Sequence, residues 1–437
     1  MTGRVEDSIA PAQRHVGSYY AATVKGSVQT LGLDGSMACD VCIVGGGFTG
    51  LSAALHLARR GFRVVVLEQS LLGWGASGRN GGQIHVGQRR DQRWLERRVG
   101  NEAARSLWNI SLNARRHLDW LIATYSIECD LRPGLLHADH RERYLKSTRE
   151  YLDYLQRHYQ YESARYVSGE EMRHLVDSQA YFGGSLDMLG GHLHTLDLAL
   201  GIARAAQSHN AQLFEDAEVL AVQRNGTSGW HVKTARAVVA ADQVLLACNG
   251  YLRGLSTQVQ AHVMPINNFV AVTEPLKDAG NAPLIREGYA VSDSRFVVYY
   301  FRLTPDGRLL FGGGENYSYR FPSDISAYVH RHIVRIFPQL ARTSIEYAWG
   351  GTLAITPTRM PYIRELSPGL YNASGYSGKG VLMAPYAGKM VADAMSGDRA
   401  EFQLMSELTV PRFPGGRALR TPTLIAAMSL AALADNL

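Results

Sequence analysis

Residues 41–50 read Val-Cys-Ile-Val-Gly-Gly-Gly-Phe-Thr-Gly, and Glu68 closes the apolar run that follows, Arg63–Leu67. Val41–Val44 is short, apolar and β-branched, so it reads as a buried strand. Gly45, Gly47 and Gly50 stand at the G-x-G-x-x-G spacing: the first makes the tight turn, the second lets a pyrophosphate approach the backbone, the third lets a helix pack against the strand. The spacing predicts that helix from about Thr49 to Arg60, with Leu51, Ala54, Leu55 and Ala58 on one face and Gly61 as its stop. Phe48 and Thr49 open it beside the glycines, and Gln69 follows the acid. Glu68 falls about 20 residues after the glycines, where a carboxylate accepts hydrogen bonds from ribose hydroxyls. Strand, glycines, helix, strand and acid in that order predict a dinucleotide-binding βαβ unit. An acid there repels a 2′-phosphate, which leaves FAD or NAD and disfavours NADP.

The stretch from Gly73 to Gln83 carries five glycines and little to bury. A second glycine-rich loop directly after the acidic strand suits a long cofactor. Its amides, with Ala76 and Ser77, are expected to hold the second phosphate and ribityl chain. Arg79 and Asn80 are expected to flank a flavin ring, and Gly81, Gly82 and Gln83 are expected among the cofactor-binding residues.

The 437 residues suffice for two domains with sizeable cores, and 46% hydrophobic with 19% charged residues describes an ordinary globular protein. A balance of 45 Lys+Arg against 39 Asp+Glu gives a mild +6. The densest basic stretch, Arg89, Arg90, Arg93, Arg97 and Arg98, is broken by Asp91 and Glu96 and has no aromatic ladder, so a solvated helix face is expected and nucleic acid is not. Cys39 and Cys42 form a C-x-x-C, but residues three apart on a strand are expected on opposite faces, and no second C-x-x-C completes a metal site. No metal is therefore expected. Sparse cysteines, no apolar leader in the first 37 residues and no run of about 18 apolar residues fit a cytoplasmic protein without a membrane span. The apolar stretch Leu424–Leu433 is far too short to span, and reads as a packed tail or a docking surface.

Further along, residues 101–125 and 145–160 have helical spacing, and Pro133-Gly134 marks a turn between them. Val219–Val222 and the run 242–250 read as strands returning to the nucleotide unit, the second ending at Asn249-Gly250. Residues 296–312 read as a hairpin about Pro305-Asp306-Gly307. Alternation sets Val297, Tyr299 and Phe301 on one face and Val298, Tyr300 and Arg302 on the other. A third glycine cluster, Gly375, Gly378 and Gly380, precedes a helix expected at about Pro385–Ser396, whose N-terminus carries partial positive charge. The expected segmentation is an arm (1–37), a cofactor-binding domain (38–110, 195–265, 345–400), a substrate domain (111–194, 266–344) and a tail (401–437).

These features together resemble the D-amino-acid oxidase-like flavoprotein family, over nearly the whole chain. Ser18–Ala22, Gly75–Gln83, Gly190–His194, Arg302–Thr304, Arg308–Gly314 and Phe413–Arg417 are similar to its γ-glutamylputrescine oxidase branch. The resemblance implies an α/β fold: a Rossmann-type FAD-binding domain and a discontinuous α+β substrate domain with an antiparallel sheet, as in glycine and sarcosine oxidases. It implies FAD, an amine substrate, hydride transfer to flavin N5, imine hydrolysis, and O2 as acceptor to give peroxide. Oxidation of a secondary amino acid (pipecolate or sarcosine type) and electron delivery to a quinone or an electron-transfer protein stay open. A non-enzymatic flavin binder is disfavoured by the aromatic roof. Lys379 stands where this branch commonly has histidine, and is expected beside the reduced flavin's charge or facing solvent. The strand Val297–Thr304 has no carboxylate, so Tyr299, Tyr300, Phe301, Trp349 and Tyr376 are expected as an aromatic box, with Arg302 and Arg359 for a substrate carboxylate. No cysteine follows Cys248, so the flavin is expected to be non-covalent, with His85 the residual candidate for a link.

Overall fold

The computed structural model describes residues 14–30, 32–226, 228–276, 283–314 and 321–414. The apolar stretch Leu424–Leu433 and the end of the Phe413–Arg417 motif lie outside the described residues. Two sheets carry the architecture. In the first, Met37–Val44 lies between Val64–Leu67 and Val238–Leu246, parallel to both. Gln212–Phe214 extends the parallel array beyond Val64–Leu67, and Leu370–Ser374 extends it beyond Val238–Leu246. Tyr362–Ser367 adds an antiparallel edge, and the hairpin Val219–Arg224 with Trp230–Thr234 joins Val238–Leu246. A strand buried on both faces needs apolar residues at consecutive positions, which is what Val41–Val44 supplies.

The helix Phe48–Ala58 follows the glycine turn and is buried throughout. A Cβ on Gly50 would stand 1.9 Å from the Gly45 carbonyl oxygen, so only glycine allows this strand–helix approach. The helix Gly380–Met395 packs on it and begins about five residues before the expected start. Pro385 lies inside this helix, where its missing N–H forfeits a single bond.

The second sheet runs in the order Ile345–Ile355, Met264–Thr273, Leu309–Gly312, Tyr300–Leu303, Ala290–Asp293, Arg132–Asp139, Gly183–His192, Gln83–Ile84, with Ala164–Val167 also paired to Gly183–His192. It takes in residues 345–355, which the segmentation above assigned to the cofactor-binding part. Pro133-Gly134 is not a chain reversal. It is a bulge inside Arg132–Asp139, where the register with Gly183–His192 shifts and Gly134 adopts φ +94°.

The hairpin strand expected from Phe296 begins only at Tyr300. The Asp293 carboxylate accepts from the amides of Arg295 (3.2 Å) and Tyr299 (2.9 Å) and pairs with the Arg295 guanidinium, which ties residues 294–298 into a loop. The Cys39–Cys42 expectation is also corrected. Asp40 and Val41 both donate to the Arg63 carbonyl, an irregularity that interrupts strict alternation, and both thiols reach the same buried cluster.

Candidate active site

A cavity of about 1100 Å³ runs between the carboxyl ends of the first sheet and one face of the second. That exceeds the ~300–1,000 Å³ typical of small-ligand pockets. At one end, the buried Glu68 carboxylate accepts from Gly46 N (2.7 Å) and Ser70 N (3.0 Å). Burial raises its pKa and these backbone bonds oppose the rise. The helix Phe48–Ala58 starts at Gly47 with no side-chain cap. Ser77 Oγ accepts from Phe48 N at 2.9 Å, and a Cβ on Gly47 would meet that same oxygen at 2.9 Å. The glycine therefore lets the second glycine loop, through Ser77, come against a positive helix end. Asn80 braces the second glycine loop, donating to Ala76 O (2.9 Å) and Ser77 O (3.1 Å) and accepting from Gly82 N (2.8 Å).

The cavity face of the second sheet is a polar row. Register places Ser185, His137, Ser292, Tyr300 and Gly312 side by side on successive strands. Tyr300 Oη donates to Asn268 Oδ1 at 2.5 Å. Its ring fills space that two glycines leave: a Cβ on Gly81 would stand 2.3 Å from it, and one on Gly312 2.0 Å. Two residues along from Ser185, Asp187 faces the same cavity and accepts from Tyr161 Oη (2.7 Å) and Leu189 N (3.0 Å).

Beyond the roof, the loop after Gln83–Ile84 meets the start of Gly380–Met395. Lys379 Nζ donates to three carbonyls, those of Val86 (3.1 Å), Gly87 (3.1 Å) and Gln88 (2.8 Å). Burial, then Arg89, pushes its pKa down to about 7, with Asp187 opposing. His137 presents its ring to the cavity, and the protein around that cavity first, then Arg89 and Lys379, lowers it to about 4. His85 is held well below its usual value by burial, then by Lys379, Arg89 and His137. Two neutral imidazoles thus share the chamber with Arg89 and Lys379.

Many of the residues singled out from the sequence converge here. Gly45, Gly47, Phe48, Thr49, Glu68, Gln69, Ala76, Ser77, Asn80, Gly81 and Gln83 line the cavity, as do His85, Val219, Asn249, Tyr300, Arg359, Tyr376, Gly378, Lys379 and Gly380. Tyr376 Oη shares a 2.7 Å hydrogen bond with Thr49 Oγ1.

Others stand behind the wall. Phe301 on its strand and Tyr299 just before it point away from the cavity: Tyr299 Oη meets His332 Nδ1 at 2.8 Å, and Phe301 packs on Phe337. Arg302, 1% exposed, is spent on Gly81 O (3.2 Å), Leu193 O (3.3 Å) and Tyr20 Oη (3.3 Å). It fastens the second glycine loop and does not reach the cavity. Arg79 stacks on Trp74 and donates to Trp74 O (2.6 Å), while its own carbonyl accepts from Trp349 Nε1 (2.9 Å). That pair clamps loop to sheet. Gly82 and Gly375 take positive φ in their loops, Gly250 lies in the short helical turn Asn249–Tyr251, and Gly50 sits within the helix Phe48–Ala58.

Lys379 does not face solvent, since its ammonium is committed to residues 86–88. Arg89 and Arg90 are not on a solvated helix face either. They precede the helix Gln92–Val99, line the cavity, and donate to Ser377 O (3.2 Å) and Thr358 O (2.9 Å). Sequence reasoning missed His137, Asp187, Ser292 and Asn268. Alternation within each strand is visible in sequence, but the long-range register that sets these residues side by side is not.

The chain matches the family model for DAO, FAD dependent oxidoreductase, over residues 40–394. It belongs to this family. A probable oxidoreductase OrdL of Rhizobium meliloti is 38% identical over 96% of this chain and 97% of its own length. Gamma-glutamylputrescine oxidoreductase of Escherichia coli K12 is likewise 38% identical, over 97% of this chain and 99% of that protein. Among solved structures, glycine oxidase from Bacillus cereus superposes with TM-score 0.70 at 20% identity, covering 85% of this chain and 98% of that one. The protein is an FAD-dependent oxidoreductase with the Rossmann-type α/β fold of these enzymes. Its cavity fits FAD on its own geometry: Gly45 and Gly47 line it without side chains, the helix Phe48–Ala58 begins at it, and Glu68 and Ser77 stand in its wall. No helix of the described residues is long and apolar enough to cross a membrane.

Proposed function

We propose that this enzyme oxidises the terminal C–N bond of γ-glutamylputrescine or a close relative, with O2 as electron acceptor. The first sheet serves the cofactor and the second the substrate. FAD, held non-covalently, supplies the acceptor for the hydride that leaves the carbon next to nitrogen. An ammonium has no lone pair to form the C=N bond, so the amine must be neutral when that hydride leaves. The observation that carries the reading is the shared placement of His85, His137, Arg89 and Lys379 on one chamber wall. Burial and the cations Arg89 and Lys379 hold His85 and His137 unprotonated, and the same field disfavours a protonated amine beside them. His137, next to Ser292 in the roof, is placed to accept a hydrogen bond from the neutral amine and hold its lone pair toward the reacting carbon. The imine then hydrolyses to aldehyde and ammonia. The substrate rests on the named activity of the Escherichia coli relative. The four free cysteines suit a reducing, cytoplasmic setting.

The test is anaerobic bleaching of the bound flavin, with peroxide release in air, for γ-glutamylputrescine, putrescine, sarcosine and pipecolate. The expected kcat/KM is highest for γ-glutamylputrescine, with one peroxide per amine oxidised. A higher value for sarcosine or pipecolate replaces the substrate. Fast bleaching without peroxide replaces the acceptor with a quinone or an electron-transfer protein.

A further inference from the structure

One lobe of the cavity lies away from the glycine cradles, under the helix Leu145–Tyr159. Its wall includes Trp108, Leu155 and Tyr161, with Trp108 and Tyr161 edge-to-face at 5.0 Å. Asp187 is its carboxylate, oriented by Tyr161 Oη and Leu189 N. The cavity's other acids have work elsewhere. Glu68 is tied to backbone amides at the far end, and Asp91 caps a helix through Trp94 N. Glu218 pairs with Arg253, and Asp293 with Arg295. Among the described residues, Asp187 makes no salt bridge with Lys or Arg. A carboxylate without a cationic partner in such a lobe attracts a cation.

We propose that Asp187 is a specificity-determining residue that binds a substrate ammonium group remote from the reacting C–N bond. The inference rests on the functional reading above and takes the reacting C–N bond to lie under Ser292 and Tyr300, with His137 reaching the amine from the neighbouring strand. Asp187 stands two strand spacings and one two-residue step from Ser292, about 12 Å across the sheet. Ten bonds separate the reacting nitrogen of γ-glutamylputrescine from its α-ammonium, an extended reach of about 12 Å, against about 6 Å between the nitrogens of putrescine. The lobe therefore matches the α-ammonium of the glutamyl group and lies beyond the second nitrogen of the free diamine. Binding there fixes the carbon at the far end without touching the reacting atoms.

The test uses the FAD-loaded enzyme under anaerobic conditions and two ligands that lack the terminal reacting amine and differ only in that ammonium: the N-butyl γ-amide of glutamate and the mono-N-butylamide of glutaric acid. Calorimetric Kd values should favour the first by about tenfold or more in the wild type. The ratio should fall to about one in Asp187→Asn, whose amide oxygen still accepts from Tyr161 and Leu189, and partly recover in Asp187→Glu. FAD content and Tm of the variants should stay at wild-type values. An unchanged ratio in Asp187→Asn overturns the proposal. So does an equal loss for both ligands, which would make Asp187 a structural support. The same comparison with 1,8-diaminooctane and octylamine reads the ammonium preference without a glutamyl group, so a wrong substrate assignment leaves the Asp187 test standing.

Discussion

Tyr300 is the roof residue whose placement is most constrained by its neighbours. Its ring occupies the volume that side chains at Gly81 and Gly312 would take, and its hydroxyl is spent on Asn268. Gly312→Ala puts a methyl group about where the ring edge lies, so the ring must swing or the strand must shift; overpacking of this kind costs about 1–3 kcal/mol. The expected outcome is kcat/KM lowered by about tenfold or more, because a small misplacement near reacting atoms costs rate steeply. Tyr300→Phe keeps the ring and loses one hydrogen bond, an effect of about 1 kcal/mol. Steady-state kinetics of the two variants check this, and a larger loss for Tyr300→Phe would give the hydroxyl a chemical role instead. From sequence, alternation correctly set Tyr300 opposite Tyr299 and Phe301. It left undetermined which face meets the cavity, because both carry aromatics and only the helix Ile325–Ile336 settles which one is core.

Among the elements, the loop 85–90 is held by a contact at the start of a distant helix. Lys379 binds three successive carbonyls, and an ammonium has three N–H donors where a neutral amine has two. Lys379→Met removes all three bonds and one cation from the chamber. The flanking His85 and Arg89 then lose their fixed position, and the neutralising field on the amine weakens. The rate of flavin reduction at neutral pH is expected to fall by about 10²-fold, the scale of losing one preorganised group. Stopped-flow reduction across pH should also show the variant's dependence on amine deprotonation moved to higher pH. A reduction rate within about threefold of wild type, with no such shift, would confine Lys379 to loop support. The substitution at this position is plain in the sequence; its three acceptors are not, because they come from a segment far away in the chain.

For the whole molecule, the nucleotide half was legible because its signals are local. Strand, glycine spacing and acid sit within about thirty residues, and each has a stereochemical reason. The second sheet was harder: its strands come from widely separated segments, and the bulge at Pro133-Gly134 resembles a turn in sequence. The fold also buries histidines away from the cavity. His56 Nε2 and His117 Nε2 lie 2.8 Å apart, an arrangement that needs at least one neutral ring to accept. Burial first, then neighbouring cations, lowers His56 to about 2 and His117 to about 3. The sign follows. Between the unfolded value of 6.5 and those folded values, the unfolded chain binds protons that the native state refuses, so stability falls as pH falls. Tm should drop steeply from pH 6.5 toward 4, and His56→Gln with His117→Gln should flatten that drop; an unchanged slope in the double variant would place the acid sensitivity elsewhere. The arm before the first strand has its own consequence. Tyr20 is fully buried against Trp349 and within reach of Arg302. A ribosome adding about 5–20 residues per second releases the arm first and its partners far later. The arm therefore waits, unpacked, through most of synthesis, and its docking is a late event that can only follow assembly of the sheet above the cofactor.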